Sequence, residues 1–307
     1  MTPLPFKHAA VVGLGLIGGS VARDLSALGM VVSAYDADPS QLAAAMRDGV
    51  VHHRLNHTLD GLAAADLVVI AVPVDEALAV LRLGASHLQR AALITDVGST
   101  KARIVALATE LGLGERFIGA HPMAGDHRSG WTASRAGLFV DAPLYLCPAV
   151  DAIPQARTLA DALWRTLGAR PIEMDAVAHD ERLAWTSHLP HMIAVVLGLT
   201  LDEGAVSRED LGPGGRDMTR IAGSSPDMWT AIAVDNADPI DAALAVAERE
   251  ISALREELVR RDASALHARF TAARSWFGKT PSAVKETSRN VSAEIAISAR
   301  GPRLRSG

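Results

Sequence analysis

Glycines 13, 15 and 18 stand in the run AAVVGLGLIGGS, residues 9–20, directly after an apolar strand and at the opening of a helix. A G-x-G-x-x-G spacing in that context suits a dinucleotide pyrophosphate. Gly13 permits the tight turn, Gly15 lets a phosphate approach the backbone, and Gly18 lets helix and strand pack closely. The first N–H groups of the helix, around Leu16 and Ile17, have no partner within it and would face the anion. The next apolar strand ends at Tyr35-Asp36. A carboxylate there can accept hydrogen bonds from both ribose hydroxyls of NAD and would repel the extra phosphate of NADP. The plainer alternative is that Asp36 caps a turn before Pro39. Pro73, closing the third apolar run, falls where the nicotinamide half of NAD would pass.

Several other residues have types suited to chemistry. His121 follows the strand Phe117–Ala120, at its carboxyl end. An imidazole, with a pKa near 6.5, can take a proton near neutral pH; a structural histidine before Pro122 is the alternative. Ser99 lies in DVGSTK, residues 96–101, and is either a reactive-site hydroxyl or a helix N-cap. Lys101 reads as a solvated first-turn residue. His188 and His191 flank Leu189-Pro190 in SHLPH, but no third ligand lies nearby, so no metal is expected. Arg220 lies in RDMTR, and Asp217 three residues earlier would share its helical face and orient it. Trp229 closes the run PGGRDMTRIAGSSPDMW, residues 213–229.

These motifs, with GAHPMAGDHRSG at 119–130, resemble the prephenate/arogenate dehydrogenase family in order and spacing, over roughly residues 8–277. The resemblance implies a Rossmann-like N-terminal domain, a helical C-terminal domain that dimerises, and an active site between them. It implies NAD as cofactor and a small-molecule substrate, prephenate or its amino analogue arogenate. It makes His121 the group that accepts the substrate hydroxyl's proton as hydride departs, and Ser99 a bridge between His121, substrate and nicotinamide. It assigns Arg220 to a substrate carboxylate, which a guanidinium can grip in two-pronged fashion. It places His188 and His191 along the substrate cavity, and Trp229 either at the partner subunit's site or in the core. Many relatives carry Glu where this chain has His127, often after Thr or Pro in place of Asp126. A cationic His127 would favour the pyruvyl carboxylate of prephenate, whereas Asp126 would favour the ammonium of arogenate. The exchange of an acid for histidine turns the expectation toward prephenate.

The elements that must position these groups follow from hydrophobic patterning. Continuous apolar runs at Ala9–Val12, Val31–Tyr35, Leu67–Val72, Leu93–Thr95, Phe117–Ala120, Leu144–Cys147 and Pro171–Met174 alternate with helical segments. This predicts an α/β fold with a doubly wound, mostly parallel sheet over residues 1–175. An all-helical substrate and dimerisation domain is expected over 176–278, with long helices at 176–202 and 238–273. Ile240, Leu244, Ala247, Ile251, Leu254 and Leu258 form one apolar stripe, either core or a homodimer seam. Residues 279–307 read as a flexible tail.

The chain has 307 residues, room for about two domains. Its net charge of −5 gives no basic excess to suggest nucleic acid. A lone Cys147 fits a reducing compartment. No membrane span and no signal peptide are read, so the cytoplasm is expected. A β-hydroxyacid dehydrogenase, with a similar cofactor half, needs a lysine in the helical half; none occurs between 176 and 278. A non-catalytic NAD-binding sensor would keep the glycines and Asp36 but could dispense with Ser99, His121 and Arg220, all of which are present.

Overall fold

The structure, a computed structural model, describes residues 4–125 and 128–279. His127 and Asp126 therefore lie outside the described residues, as does the tail beyond Lys279. Five parallel strands form the first sheet: β1 (His8–Val12), β2 (Val31–Tyr35), β3 (His53–Arg54), β4 (Leu67–Ile70) and β5 (Leu93–Asp96). Their spatial order is β3-β2-β1-β4-β5. The order reverses between β1 and β4, and ligands of such sheets bind beyond the carboxyl ends at that switch point. Helices α1 (Leu16–Ala27), α2 (Pro39–Arg47), α3 (Val74–Gly84) and α4 (Ala102–Glu110) make the connections. All four residues of β4 are buried, as are Ala9 to Val12 of β1, which is why these strands carry no polar alternation. The edge strand β3 was not foreseen; two exposed residues leave no periodicity to read.

A second sheet of three strands holds β6 (Ile118–Pro122), β7 (Pro143–Pro148) and β8 (Arg170–Glu173). β7 and β8 are parallel, joined through α5 (Pro154–Thr166), but β6 and β7 are antiparallel. The mostly parallel arrangement thus holds for the first five strands and breaks at β6, because the chain returns through residues 123–142 instead of crossing over by a helix. One parallel bridge, Ile94 to Phe117, ties the start of β6 to β5. The carboxyl ends of these two strands therefore lie side by side.

The helical part begins with α6 (Ala176–Leu183), capped by Asp175, whose carboxylate accepts the N–H groups of Val177 and Ala178 at 2.9 and 3.0 Å. A π turn at Ala184–His188 leads directly into α7 (Leu189–Glu203). Pro190 supplies the reason: it lacks an N–H, and its ring opposes the carbonyl four residues back, so the turn before it widens. The expected helix over 176–202 is therefore one run with a bulge inside it. By length and composition, Ala176–Glu203 would suffice to cross a membrane, which the sequence reading did not anticipate. Its first half is instead committed to the core through buried His179, Asp180, Leu183 and His188, while Val195, Val196 and Leu199 are exposed.

Helices α8 (Pro213–Thr219), α9 (Pro226–Asp235), α10 (Ala237–Arg260) and α11 (Ala263–Phe277) follow. The expected helix over 238–273 is broken at Arg261, which takes a left-handed φ of 52°, and at Asp262, which caps α11 through the Ala265 N–H. A short acidic side chain there offers the backbone a cap in place of continuation. Contacts divide the chain into two compact units, residues 1–247 and 248 onward. In the first, Ile240 and Ala243 of α10 are buried. In the second, Arg269 of α11 grips Glu257 of α10 with Nε and Nη2 and reaches Glu250, while Ile251 and Leu258 are exposed.

Close packing of the glycine turn gives a stability test. A Cβ on Gly18 would lie 2.0 Å from the Gly13 carbonyl oxygen, a backbone atom that cannot yield, whereas one on Gly15 meets nothing within 4 Å. Gly18→Ala should cost about 1–3 kcal/mol in cofactor-free thermal unfolding, with Gly15→Ala close to the unsubstituted protein. Equal melting temperatures for the two variants would refute this reading of the turn.

Candidate active site

The dinucleotide cradle is assembled at the carboxyl end of β1. Gly13 takes a φ of +96°, and a Cβ on it would lie 2.4 Å from the Ala71 carbonyl oxygen, so β1 and the end of β4 meet there without a side chain between them. Gly15, the N-cap of α1, opens onto free space. That is the gap a phosphate requires, and the free N–H groups of the first turn face it, beside buried Leu16 and half-buried Ile17. The Asp36 carboxylate accepts the Leu14 N–H at 2.6 Å and the Asp38 N–H at 2.8 Å. It is thereby held against the glycine turn, where ribose hydroxyls of a bound dinucleotide would lie. Pro73 is the exposed N-cap of α3, just beyond β4. The geometry fits a dinucleotide on each count.

His121 sits on β6, opposite Tyr145 of β7. Its Nδ1 lies 2.9 Å from Nε2 of His179 on α6, and the two rings meet edge to face at 5.1 Å. His179 is wholly buried, and its Nδ1 lies 2.8 Å from Oδ1 of Asp180. Asp180 also accepts the backbone N–H groups of Lys101 and Ala102, each at 2.8 Å. A carboxylate receiving so many donors is ionised and acts only as an acceptor. The Nδ1–H of His179 must therefore point at Asp180. With both rings neutral, His179 Nε2 accepts the Nδ1–H of His121, and the remaining nitrogen of His121, Nε2, is left as a bare acceptor. Burial, the neighbouring His179, Lys101 and then His188 hold the His121 pKa well below its ordinary value. The ring is thus an unprotonated base at neutral pH.

The groups from the helical part form a run of rings. His191 stacks on Trp229 at 3.7 Å between centroids, with 24° between planes, and His188 meets the same indole edge to face at 5.9 Å. The His191 Nδ1–H donates to the Ser187 carbonyl, one of the carbonyls in the turn widened by Pro190. Burial, together with the nearby Arg220 cation, lowers the His191 pKa. His188 is buried, its pKa pushed down to about 4, and its Nδ1 receives the Asn236 amide N–H at 3.0 Å. Asn236 donates as well to the Asp180 carbonyl. Trp229 has a buried indole N–H without a partner. Arg220 is exposed and, among the described residues, its guanidinium has no hydrogen-bond or ion-pair partner.

The structure thus links His121, His188, His191, Trp229 and Arg220 through successive neighbours, and places Ser99, half-buried, just past the end of β5 beside the end of β6. Ser99 is not the N-cap of α4; that position belongs to Lys101, and the helix end is satisfied by Asp180 from across the cleft. Asp217 does not orient Arg220. The Arg220 backbone N–H donates to the Asp217 carbonyl, but among the described residues no hydrogen bond or ion pair joins the Asp217 carboxylate to the Arg220 guanidinium. Lys101 is not solvated but wholly buried, paired with Asp96. Sequence reasoning also missed His179, Asp180, Asn236 and Asp235, which ties α9 to α4 by accepting from Thr100 at 2.6 Å and Arg103 at 2.5 Å. The signal for two of them was present. Ala176, His179, Asp180, Leu183 and Ala184 occupy the buried face of one helical run, where polar types are rare unless partnered.

Comparison with known proteins agrees with this geometry. Residues 21–173 match the family described as prephenate dehydrogenase, nucleotide-binding domain, and residues 175–272 match prephenate dehydrogenase, dimerization domain. A prephenate dehydrogenase of Bacillus subtilis (strain 168) is 35% identical over 278 residues, covering 87% of this chain and 74% of the relative. A crystal structure of prephenate dehydrogenase from A. aeolicus, in complex with hydroxyphenyl propionate and NAD+, superposes with a TM-score of 0.80 at 28% identity, covering 87% of this chain and 96% of that one. Synechocystis arogenate dehydrogenase superposes with a TM-score of 0.75 at 27% identity, over 87% of this chain and 98% of that one. With a base at the sheet end, a dinucleotide cradle beside it and family matches over residues 21–173 and 175–272, the chain belongs to the prephenate dehydrogenase family.

Proposed function

We propose that this chain uses NAD to oxidise and decarboxylate prephenate to 4-hydroxyphenylpyruvate. The observation that carries the reading is the line from His121 through His179 to Asp180, which leaves His121 Nε2 as a bare acceptor at the end of the sheet. Bound NAD supplies the hydride acceptor. The residues do the rest. As hydride leaves the ring carbon bearing the hydroxyl, His121 Nε2 takes the hydroxyl proton, and the charge it acquires is spread toward the Asp180 carboxylate. The ring carboxylate departs as CO2, its bonding electrons complete the aromatic ring, and His121 returns the proton to the same oxygen, now a phenol. No net proton is consumed. Ser99 bridges His121 and the substrate hydroxyl. Arg220, whose guanidinium has no partner among the described residues, binds a substrate carboxylate, with His191, His188 and Trp229 lining the space and Asp217 at its rim.

Gly13, Gly15, Leu16, Ile17 and Gly18 hold the pyrophosphate, Asp36 the ribose, and Pro73 the nicotinamide side. We divide the chain into a nucleotide-binding part, 1–175, and a helical substrate and dimerisation part, 176–278. The exposed apolar residues Val195, Val196 and Leu199 of α7 and Val234 of α9 support a homodimer formed through the helical part. The cytoplasm is the compartment we assign.

Assay of the purified protein with NAD and either prephenate or arogenate, followed by NADH absorbance, tests the reading; no turnover with either substrate would end it. His121→Asn should lower kcat by roughly 10²–10⁴-fold. Because its pKa is depressed, His121 stays unprotonated as pH falls through 6.5, so the acid limb of kcat/KM assigned to it should lie below that pH. A limb at or above 6.5, lost in His121→Asn, would contradict the assignment. Arg220→Ala should chiefly raise KM for prephenate, and an unaltered KM would move carboxylate binding elsewhere. Asp36→Asn should narrow the preference for NAD over NADP; a constant ratio of the two kcat/KM values would remove Asp36 from cofactor selection.

A further inference from the structure

Asp96 and Lys101 are the interior charged pair that the proposed chemistry does not use. Their exposures are 1% and 0%, and the Lys101 ammonium bonds directly to Asp96 Oδ2. Burying both charges sacrifices their hydration, and apolar residues of similar size would fill the space more cheaply. Their placement gives the pair a use.

Asp96 ends β5. Its Oδ2 accepts the N–H of Gly98 at 2.8 Å. Burial pushes the Asp96 carboxyl above its ordinary range, against the opposing pull of the Lys101 cation and of the Gly98 and Ala120 N–H groups, and among the described residues Oδ1 itself has no hydrogen-bond partner. Gly98 immediately precedes Ser99, and Ala120 immediately precedes His121. The carboxylate therefore holds the backbone just ahead of Ser99 and lies against β6, the strand that carries His121. Lys101 adds a second link. Its side chain holds Asp96, and its backbone N–H donates to Asp180, the anion behind His179. The strand β6 packs closely over the pair at Gly119. A Cβ there would lie 3.1 Å from Lys101 Cδ and 3.3 Å from Asp96 Oδ1.

We propose that the buried Asp96–Lys101 pair is the positioning device of the site. Asp96 holds the backbone ahead of Ser99 and packs with Lys101 against Gly119 of β6, two residues before His121, and Lys101 neutralises that carboxylate while placing a positive charge near His121. Both are positioning residues, acting through groups that touch the substrate. The kinetic part of this inference rests on the prephenate dehydrogenase reading; the electrostatic part does not.

The experiment compares the full chain with Lys101→Met and with the double variant Asp96→Asn/Lys101→Met. It follows the imidazole NMR titration of His121, assigned by its loss in His121→Asn, alongside kcat, KM and thermal unfolding. Removing the cation should raise the His121 midpoint in both variants, more in the single one, where Asp96 is left uncompensated. kcat should fall by about 10- to 100-fold in Lys101→Met, the scale expected of a small misplacement of reacting groups, with KM for prephenate changed much less. The double variant, with no unpaired buried charge, should fold stably and recover part of kcat, so it decides the matter if the single variant does not fold. If the folded double variant keeps the original His121 midpoint and a kcat within twofold, the pair is packing alone and the inference is overturned. The titration needs no substrate, so a chain inactive toward prephenate would sink the functional reading and leave this test standing.

Discussion

The Asp180 carboxylate at the amino end of α4 is the contact on which the site depends. It accepts two backbone N–H groups of a helix from the sheet part and the ring N–H of His179 beside it in sequence. An anion is favoured there because the free N–H groups and the helix dipole concentrate positive potential. The same interaction does three things. It satisfies a helix end that has no side-chain cap of its own. It fixes α6 against the sheet. Through His179, it sets which nitrogen of His121 carries the proton.

Burial then gives these contacts their consequence. A histidine in water titrates near 6.5; here desolvation, with nearby imidazoles and cations, holds the pKa values of His121, His188 and His191 below that. Arg220, by contrast, is exposed near the stacked His191 and Trp229 rings. The candidate site therefore has an imidazole of depressed pKa at the strand ends and an open guanidinium toward solvent. Uncompensated charge placed deep in the cavity would reverse that division, which is why every deep carboxylate here is paired or capped.

The helical part owes its shape to one residue. Pro190 forces a π turn into a run that would otherwise be a regular apolar helix. The bulge lets the Ser187 carbonyl hold the His191 ring and leaves His188 on the buried side, against Asn236. Beyond the bulge the helix presents Val195, Val196 and Leu199 outward. The same 28-residue run is thus core at one end and open apolar surface at the other, which accounts for a membrane-like composition in a helix pinned by a buried acid and two histidines.

Local chemistry was enough to reveal the glycine turn, Asp36 at the end of β2, the parallel sheet up to β5 apart from its edge strand β3, and the helical character after Asp175. Each depends on backbone conformation or periodicity within one short segment. His121 was legible as a strand-terminal imidazole for the same reason. What local pattern did not determine was the company each residue keeps. Lys101 looks like a surface lysine until β6 closes over it at Gly119. Ser99 looks like a cap until Asp180, 81 positions away, takes that role. Asp217 and Arg220 look like an ion pair, yet the helix joins them through the backbone and not through their side chains. The proton on His121 is assigned only when His179 and Asp180 arrive from another element. Hydrogen-bond partners and burial are properties of atoms brought together by the tertiary fold, so protonation state and the true function of a buried charge could be decided only there.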